Sequence, residues 1–475
     1  YLMSPEMELY HLVSTSMIDN KFYETASEQL VRLRNLMRLV DVEFSLKLAV
    51  YAREKMYLRS VPIVMMVELM KLKKDSSLKR SVFGKTLARV IKRADEITET
   101  LSYYQITNKR KKAKKLNKLS KQIQKGLALA FNQFDEYQFA KYNRNQEVTL
   151  RDAVFLTHPK AKDEFQQVLF DKIVNDSLEV PYTWEVELSK NGNNKETWEK
   201  LIESGRLGYM ALLRNLRNML NAGISDEYLR KVGAVLADAK KVKYSKQLPI
   251  RFFSAYKEIN HLANSGYLVD ALEDAVGLSV DNIEFFKNEK ILIASDVSGS
   301  MMQKLSAKSS VEYYDIGLLM AMLLKNKLSS NVTTGIFGDR WKVKNLPKRN
   351  ILANTEYLRR IEGEVGYSTH GYKVLEWALK EKTQFDKVVF FTDTQMYDTY
   401  NDFKLKSYWK EYKKRNPKAK LYLFNLAGYS TTPLKVNEVD VYSIGGWSDK
   451  IFDVLSALEK GESVLDEIRK IELDK

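Results

Sequence analysis

The sequence predicts two architectures in series: an all-helical region over 1–286 followed by a doubly wound α/β domain over 287–475. Three observations carry this. Up to about Glu284, apolar residues recur at three- and four-residue spacing and few stretches alternate apolar with polar, the pattern of amphipathic helices. From about Lys287, short apolar runs ending in Asp, Ser or Gly alternate with helical segments, the pattern of a mostly parallel sheet covered on both faces. With 44% apolar residues and 8 prolines in 475 residues, the chain reads as globular throughout and long enough for two cores.

In the first region, LVRLRNLMRLV, VEFSLKLAVYAREKMYLRSVPIVMMVELMKL and DEYLRKVGAVLADAKKV each place an apolar stripe on a helix. Turn signals at Ser60 to Pro62, Thr157 to Pro159, Lys190 to Asn194 and Asn221 to Ser225 divide the region into helices of ordinary length. Short helices in antiparallel pairs form a bundle or a solenoid.

Charge is concentrated. The chain has a formal net charge of +16, and residues 71–125 hold 18 Lys and Arg against 4 Asp and Glu. A local excess of this size marks a face for a polyanion. Lys109, Arg110, Lys111, Lys112, Lys114 and Lys115 are followed by Lys118, Lys121 and Lys125, whose spacing puts the last three on one helical face while Leu116, Leu119, Ile123 and Leu127 turn inward. Such a stripe neutralises phosphates and releases counterions. Tyr103 and Tyr104 nearby are candidates for stacking on unpaired bases. The plainer reading is a solvated lysine face over tyrosines that belong to the core.

In the second region, Ile291 to Ala294 is a buried strand, and the turn beyond it carries Asp296, Ser298 and Ser300. Val311 to Lys325 is predicted as a helix, Val332 to Phe337 as a strand and Tyr372 to Lys380 as a helix. Lys387 to Thr392, Asp402 to Arg415, Lys420 to Leu426, Val439 to Ile444 and Ser448 to Leu458 continue the alternation. Thr369 precedes the Tyr372 helix, and Asp393 ends the Lys387 strand. Asp296, Ser298, Ser300, Thr369 and Asp393 thus form a set of hard oxygen donors at the carboxyl ends of strands, suited to Mg2+, with Mn2+ or Ca2+ as alternatives, and ill suited to zinc or copper.

That constellation resembles the metal-ion-dependent adhesion site of von Willebrand factor A domains, which implies an ion with an open position filled by a partner's carboxylate, and binding in place of turnover. In the helical half, AVYAREKMYLRSVP at Ala49 to Pro62, LRDAVFLTHPK at Leu150 to Lys160 and YMALLRNLRNML at Tyr209 to Leu220 resemble the TROVE domain of the Ro autoantigen family of RNA-binding proteins. The resemblance implies HEAT-like helical repeats closing into a ring, joined by the von Willebrand factor A domain. It further implies small structured noncoding RNA, the Y RNAs, on a basic outer surface and single-stranded ends of other RNAs in a central hole. Lys141 in AKYNRN and His158 in FLTHPK are similar in placement to a basic residue and a histidine that relatives use at the RNA surface. An arginine that relatives place four residues after the lysine is Asn145 here, beside Arg144.

Other chemistry finds little support. There is no cysteine, and the 4 histidines fall in no Ser-His-Asp or HExxH pattern; no P-loop occurs either. A Mg2+-dependent hydrolase built on Asp296 and Asp393 lacks a second carboxylate cluster or a histidine base. Arg214 and Arg217, one turn apart, either line a pore facing RNA or pair with acidic neighbours. The expectation is a noncatalytic, monomeric, cytoplasmic RNA-binding protein without a membrane span, with a metal-dependent protein-interaction scaffold as the rival.

Overall fold

The computed structural model describes residues 4–15, 28–72, 76–107, 119–280, 288–304, 309–328, 331–392, 400–426, 434–435, 440–445 and 463–474. The chain divides into two compact units, one of Leu2–Val186 with Ala457–Lys475 and the other of Glu187–Ser456.

The first unit is helical: α1 Pro5–Thr15, α2 Glu28–Leu39, α3 Val42–Glu54, α4 Ser60–Lys71, α5 Arg80–Val90, α6 Asp95–Thr107, α7 Lys121–Phe131, α8 Glu136–Tyr142, α9 Leu150–Thr157 and α10 Glu164–Val174. Local chemistry sets the ends. Asp41 accepts from the Phe44 N–H to start α3, and Thr149 and Asp152 exchange hydrogen bonds as a capping box to start α9. α9 stops at His158, whose φ of 48° lies in the left-handed region just before Pro159. α5 and α7 pack so closely that a Cβ at Gly126 would stand 2.9 Å from the Gly84 carbonyl oxygen, so only glycine fits there. A final helix, Ser463–Arg469, packs on α3, and the Lys47 ammonium donates to the Arg469 carbonyl at 2.6 Å.

An ionic network fills this unit's interior. Glu96, fully buried, accepts from Arg53 at 2.8 Å and Arg59 at 3.0 Å, and from the backbone N–H of Lys92 and Arg93. Glu68 accepts from Arg34 at 2.7 Å and from the Tyr103 hydroxyl at 2.7 Å. With both oxygens of each engaged, the buried carboxylates hold helices together without a stranded charge.

In the second unit, following α11 Trp184–Asn191, come α12 Lys195–Glu203, α13 Tyr209–Arg214, α14 Leu216–Asn221, α15 Asp226–Leu236, α16 Ala239–Ser245, α17 Pro249–Ile259 and α18 Gly266–Leu278. The sheet follows, with strands β1 Ile291–Asp296, β2 Val332–Phe337, β3 Trp341–Val343, β4 Lys387–Thr392, β5 Lys420–Asn425, β6 Leu434–Lys435 and β7 Val441–Gly445 in the order β3-β2-β1-β4-β5-β7-β6. The inner five are parallel and the edges β3 and β6 antiparallel. β1 and β4 are buried at every residue, as strands covered on both faces must be. α19 Tyr313–Leu328, α20 Ile351–Arg360, α21 Tyr372–Lys380 and α22 Tyr400–Arg415 supply the covering helices. Trp409 and Tyr412 of α22 pack with Val374 and Leu375 of α21 onto Leu292, Val388 and Phe390.

The helical repeats seat directly on the sheet domain within this unit. The Glu273 carboxylate of α18 accepts from the Leu352 and Ala353 N–H groups at 3.0 and 2.9 Å, neutralising the free donors at the start of α20. Lys257 of α17 donates to the Ser310 carbonyl at 2.6 Å, beside the start of α19.

All-helical then doubly wound is the architecture the sequence predicts. The predicted Val332, Tyr372 and Lys387 elements match residue for residue; β3 and α20 lie between the first two, where the sequence predicts no element. The helix expected over Ser448 to Leu458 lies outside the described residues.

Candidate functional site

The order of the sheet places β1 between β2 and β4, so successive crossovers leave in opposite directions from β1 and open a crevice at its carboxyl end. Asp296 is the last residue of β1 and is buried. One of its oxygens, Oδ2, accepts from the Thr392 hydroxyl at 2.7 Å, tying it to the end of β4, and the other, Oδ1, accepts from the Ser298 N–H at 2.8 Å. Ser298 Oγ and Ser300 Oγ stand 3.2 Å apart. Octahedral Mg2+ with oxygen ligands at about 2.1 Å has adjacent ligands about 3 Å apart, so the two hydroxyls fit neighbouring vertices of one shell. The donors are oxygens only, which fits a hard cation. Among the described residues no group of three or more His, Cys, Asp and Glu gathers, so the site depends on hydroxyls joined to carboxylates. Asp393 lies outside the described residues.

Thr369 sits in a loop clamped against this turn. The Gly299 N–H, between the two serines, donates to the Tyr367 carbonyl at 3.1 Å. On the other side, the Arg340 N–H donates to Val365 at 3.0 Å and the His370 N–H to Gly338 at 2.9 Å. The Asp339 carboxylate accepts from the Ser368 N–H at 3.0 Å, and its hydrogen bonds to Ser368 hold it below the usual carboxylate range. Gly366 has φ +78°, and a Cβ there would meet Asp339 Oδ2 at 2.0 Å. Sequence reasoning missed Asp339, Gly366 and Thr392. A glycine two residues before the polar pair Ser368–Thr369 is the signal that marks the turn.

A second candidate surface belongs to the first unit. Lys121 and Lys125 are exposed on α7 while Ile123 and Leu127 are fully buried, the division their spacing predicts. Lys141, at the end of α8, lies 6.0 Å from the Tyr137 ring centroid and 5.6 Å from that of Tyr142. Arg144 and His158 are exposed on the flanks of α9, His158 in the left-handed conformation before Pro159. Lys111, Lys112, Lys114, Lys115 and Lys118 lie outside the described residues.

Tyr103 and Tyr104 are a correction. Both are buried, and the Tyr103 hydroxyl is spent on Glu68, so neither presents a face to a base. Burial, reinforced by Glu68, raises the Tyr103 pKa and keeps the phenol protonated. Their apolar faces are the inward stripe of α6. The aromatic rings beside the cations are instead Tyr137, 44% exposed, and Tyr142.

The second unit has a cleft of about 530 Å³ between α13, α14 and α17. Arg214, Arg217 and Arg251 line it over a floor that includes Met210, Leu213 and Ile259. Arg217 pairs with Glu258 at 2.5 Å, whereas Arg214 and Arg251 have no carboxylate partner among the described residues. Three guanidiniums facing one carboxylate leave a net positive wall.

With the geometry in place, comparison with known proteins gives three findings. The TROVE domain model matches residues 10–177 and 175–268, and the Ro60 vWA domain model matches residues 290–458. The crystal structure of the Deinococcus radiodurans RO (RSR) protein covers 97% of this chain and 100% of its own at a TM-score of 0.66 and 17% identity, a likeness of fold. Telomerase protein component 1 is 45% identical in Rattus norvegicus and 46% in Mus musculus over 85 residues, 18% of this chain. The chain spans about 3% of the length of those curated relatives.

Proposed function

The chain belongs to the TROVE domain family, and from that premise we propose that it is a noncatalytic RNA-binding protein in which two surfaces take two kinds of RNA. The exposed cations of the first unit bind the backbone of a small structured, Y-like RNA. The contact residues are Lys121, Lys125, Lys141, Arg144 and His158, with Lys111, Lys112, Lys114, Lys115 and Lys118 continuing the tract. The single observation behind this reading is the pairing pattern of charge. Interior arginines of the unit are bound to carboxylates, while Lys121, Lys125 and Arg144 stand exposed with no ion-pair partner among the described residues. Unpaired surface cations are what a phosphate backbone requires, because counterion release then supplies the affinity.

The arginine cleft takes single-stranded ends of other RNAs, including defective ones. A guanidinium fork matches a phosphate, and an apolar floor accepts a base. In this reading 1–286 carries both RNA surfaces, and 287–475 carries the cation site.

Asp296, Ser298, Ser300, Thr369 and Asp393 hold Mg2+ in this reading, with Mn2+ or Ca2+ able to substitute. Bound there, the ion supplies an electrophilic position for a carboxylate of a protein partner. Asp296 anchors the shell because Thr392 and the Ser298 N–H fix both of its oxygens, and burial excludes competing water. The protein works as a cytoplasmic monomer.

Recovering the protein from cells and sequencing the RNA that accompanies it tests the proposal. Small structured RNAs, together with RNAs bearing free single-stranded ends, are the expected yield. A yield indistinguishable from total cellular RNA, with partner proteins retained after ribonuclease treatment, would overturn it in favour of a protein-interaction scaffold.

A further inference from the structure

We infer that Asp339 is a positioning residue for the cation site, holding the loop that carries Thr369 in register with Ser298 and Ser300. The inference rests on the reading that Asp296 and its neighbours bind a divalent cation. Three short stretches meet there: the Asp296 turn, the 338–340 turn after β2, and the 365–370 loop before α21. Hydrogen bonds join them. Backbone groups are linked from Gly299 to Tyr367, Arg340 to Val365 and His370 to Gly338. A side chain adds to these, the Ser368 N–H donating to Asp339 Oδ1 at 3.0 Å.

That bond falls on the residue next to Thr369, so it sets where the threonine hydroxyl stands relative to the other two. Gly366 closes against the same carboxylate, leaving no room for a Cβ between them. Asp339 itself is exposed and lies outside the buried core. Its Oδ1 holds the N–H of Ser368, the residue before Thr369, which makes it an orienting group for that loop. Groups of this kind, one step removed from the ion, alter metal affinity by about 10- to 100-fold when removed.

Calorimetric titration of the full chain with Mg2+ tests this, using the parent, Asp296→Ala, Asp339→Ala, Asp339→Asn and Gly366→Ala. Melting temperatures in excess chelator accompany each titration. Asp296→Ala is expected to abolish binding, and Asp339→Ala to weaken it about 10- to 100-fold with the chelated melting temperature unchanged. Asp339→Asn should recover most of the affinity, because its amide oxygen still accepts from the Ser368 N–H. Gly366→Ala, which pushes a methyl onto the carboxylate, should weaken binding as Asp339→Ala does. Binding by Asp339→Ala equal to the parent would overturn the positioning role while leaving the cation site standing. Equal weakening by the Ala and Asn variants, with a lowered chelated melting temperature, would overturn it as general destabilisation. A parent that binds no Mg2+ would remove both the cation reading and this one.

Discussion

The two units use charge in opposite ways. In the second, the candidate cation site is made of short, largely buried side chains whose positions are fixed by backbone hydrogen bonds and by the ends of β1 and β4. In the first, the candidate RNA surface is made of long, exposed side chains with few partners, displayed by helices that an interior ionic network holds in place. Fixed donors favour one small ion of one size. A spread of mobile cations favours a large polyanion whose phosphates recur along a surface. Loss of one group should therefore be decisive in the first kind of site and graded in the second.

The largest expected effect tests the network beneath the cationic surface. Glu96→Ala strands Arg53, which is nearly buried, and should cost about 3 to 5 kcal/mol by chemical denaturation. A loss below about 1 kcal/mol would mean that the arginines do not depend on it. Next comes the cation site: Mg2+ at about 100 times its Kd should stabilise the parent by about 2.7 kcal/mol and Asp296→Ala not at all. An equal shift in both would place the ion elsewhere.

Graded behaviour is expected on the other surface. Changing Lys121, Lys125, Lys141 and His158 together should weaken structured RNA binding by on the order of 10- to 1000-fold, with each single change costing only a share. One residue accounting for the whole loss would erase the contrast between the units.

The smallest effect is on acid stability. The Arg89 hydrogen bond holds the Glu54 carboxyl below its ordinary pKa despite partial burial. A depressed folded-state pKa means stability that is present above the unfolded pKa and lost as pH falls through the folded value. Glu54→Gln should accordingly flatten the decline in melting temperature below about pH 4.5, and an unchanged slope would discount the pair.

What was legible in the sequence follows the same division. β1 and β4 could be read because buried strands are continuous apolar runs, and the places of Asp296 and Thr369 because one ends a strand and the other precedes a helix. β3 was hidden because a three-residue edge strand has no period to detect, and α20 because its cap comes from Glu273, far away in sequence. Thr392 was read as the end of a strand and not as a partner of Asp296, since the pairing of β1 with β4 is a tertiary fact. Tyr103 and Tyr104 misled because adjacency to a basic tract says nothing about the face a helix turns inward. Only the packing of α6 decides that.

Phosphate recognition by the exposed cations of the first unit is the basis of the proposed RNA binding. The most direct test is the salt dependence of affinity for a structured RNA, comparing the parent with a Lys121, Lys125, Lys141 and Arg144 to Gln variant. A steep fall of log affinity with log salt in the parent, made shallower in the variant by roughly 0.7 to 0.9 for each lost contact, is the predicted result. The same slope and the same affinity in both proteins would contradict it.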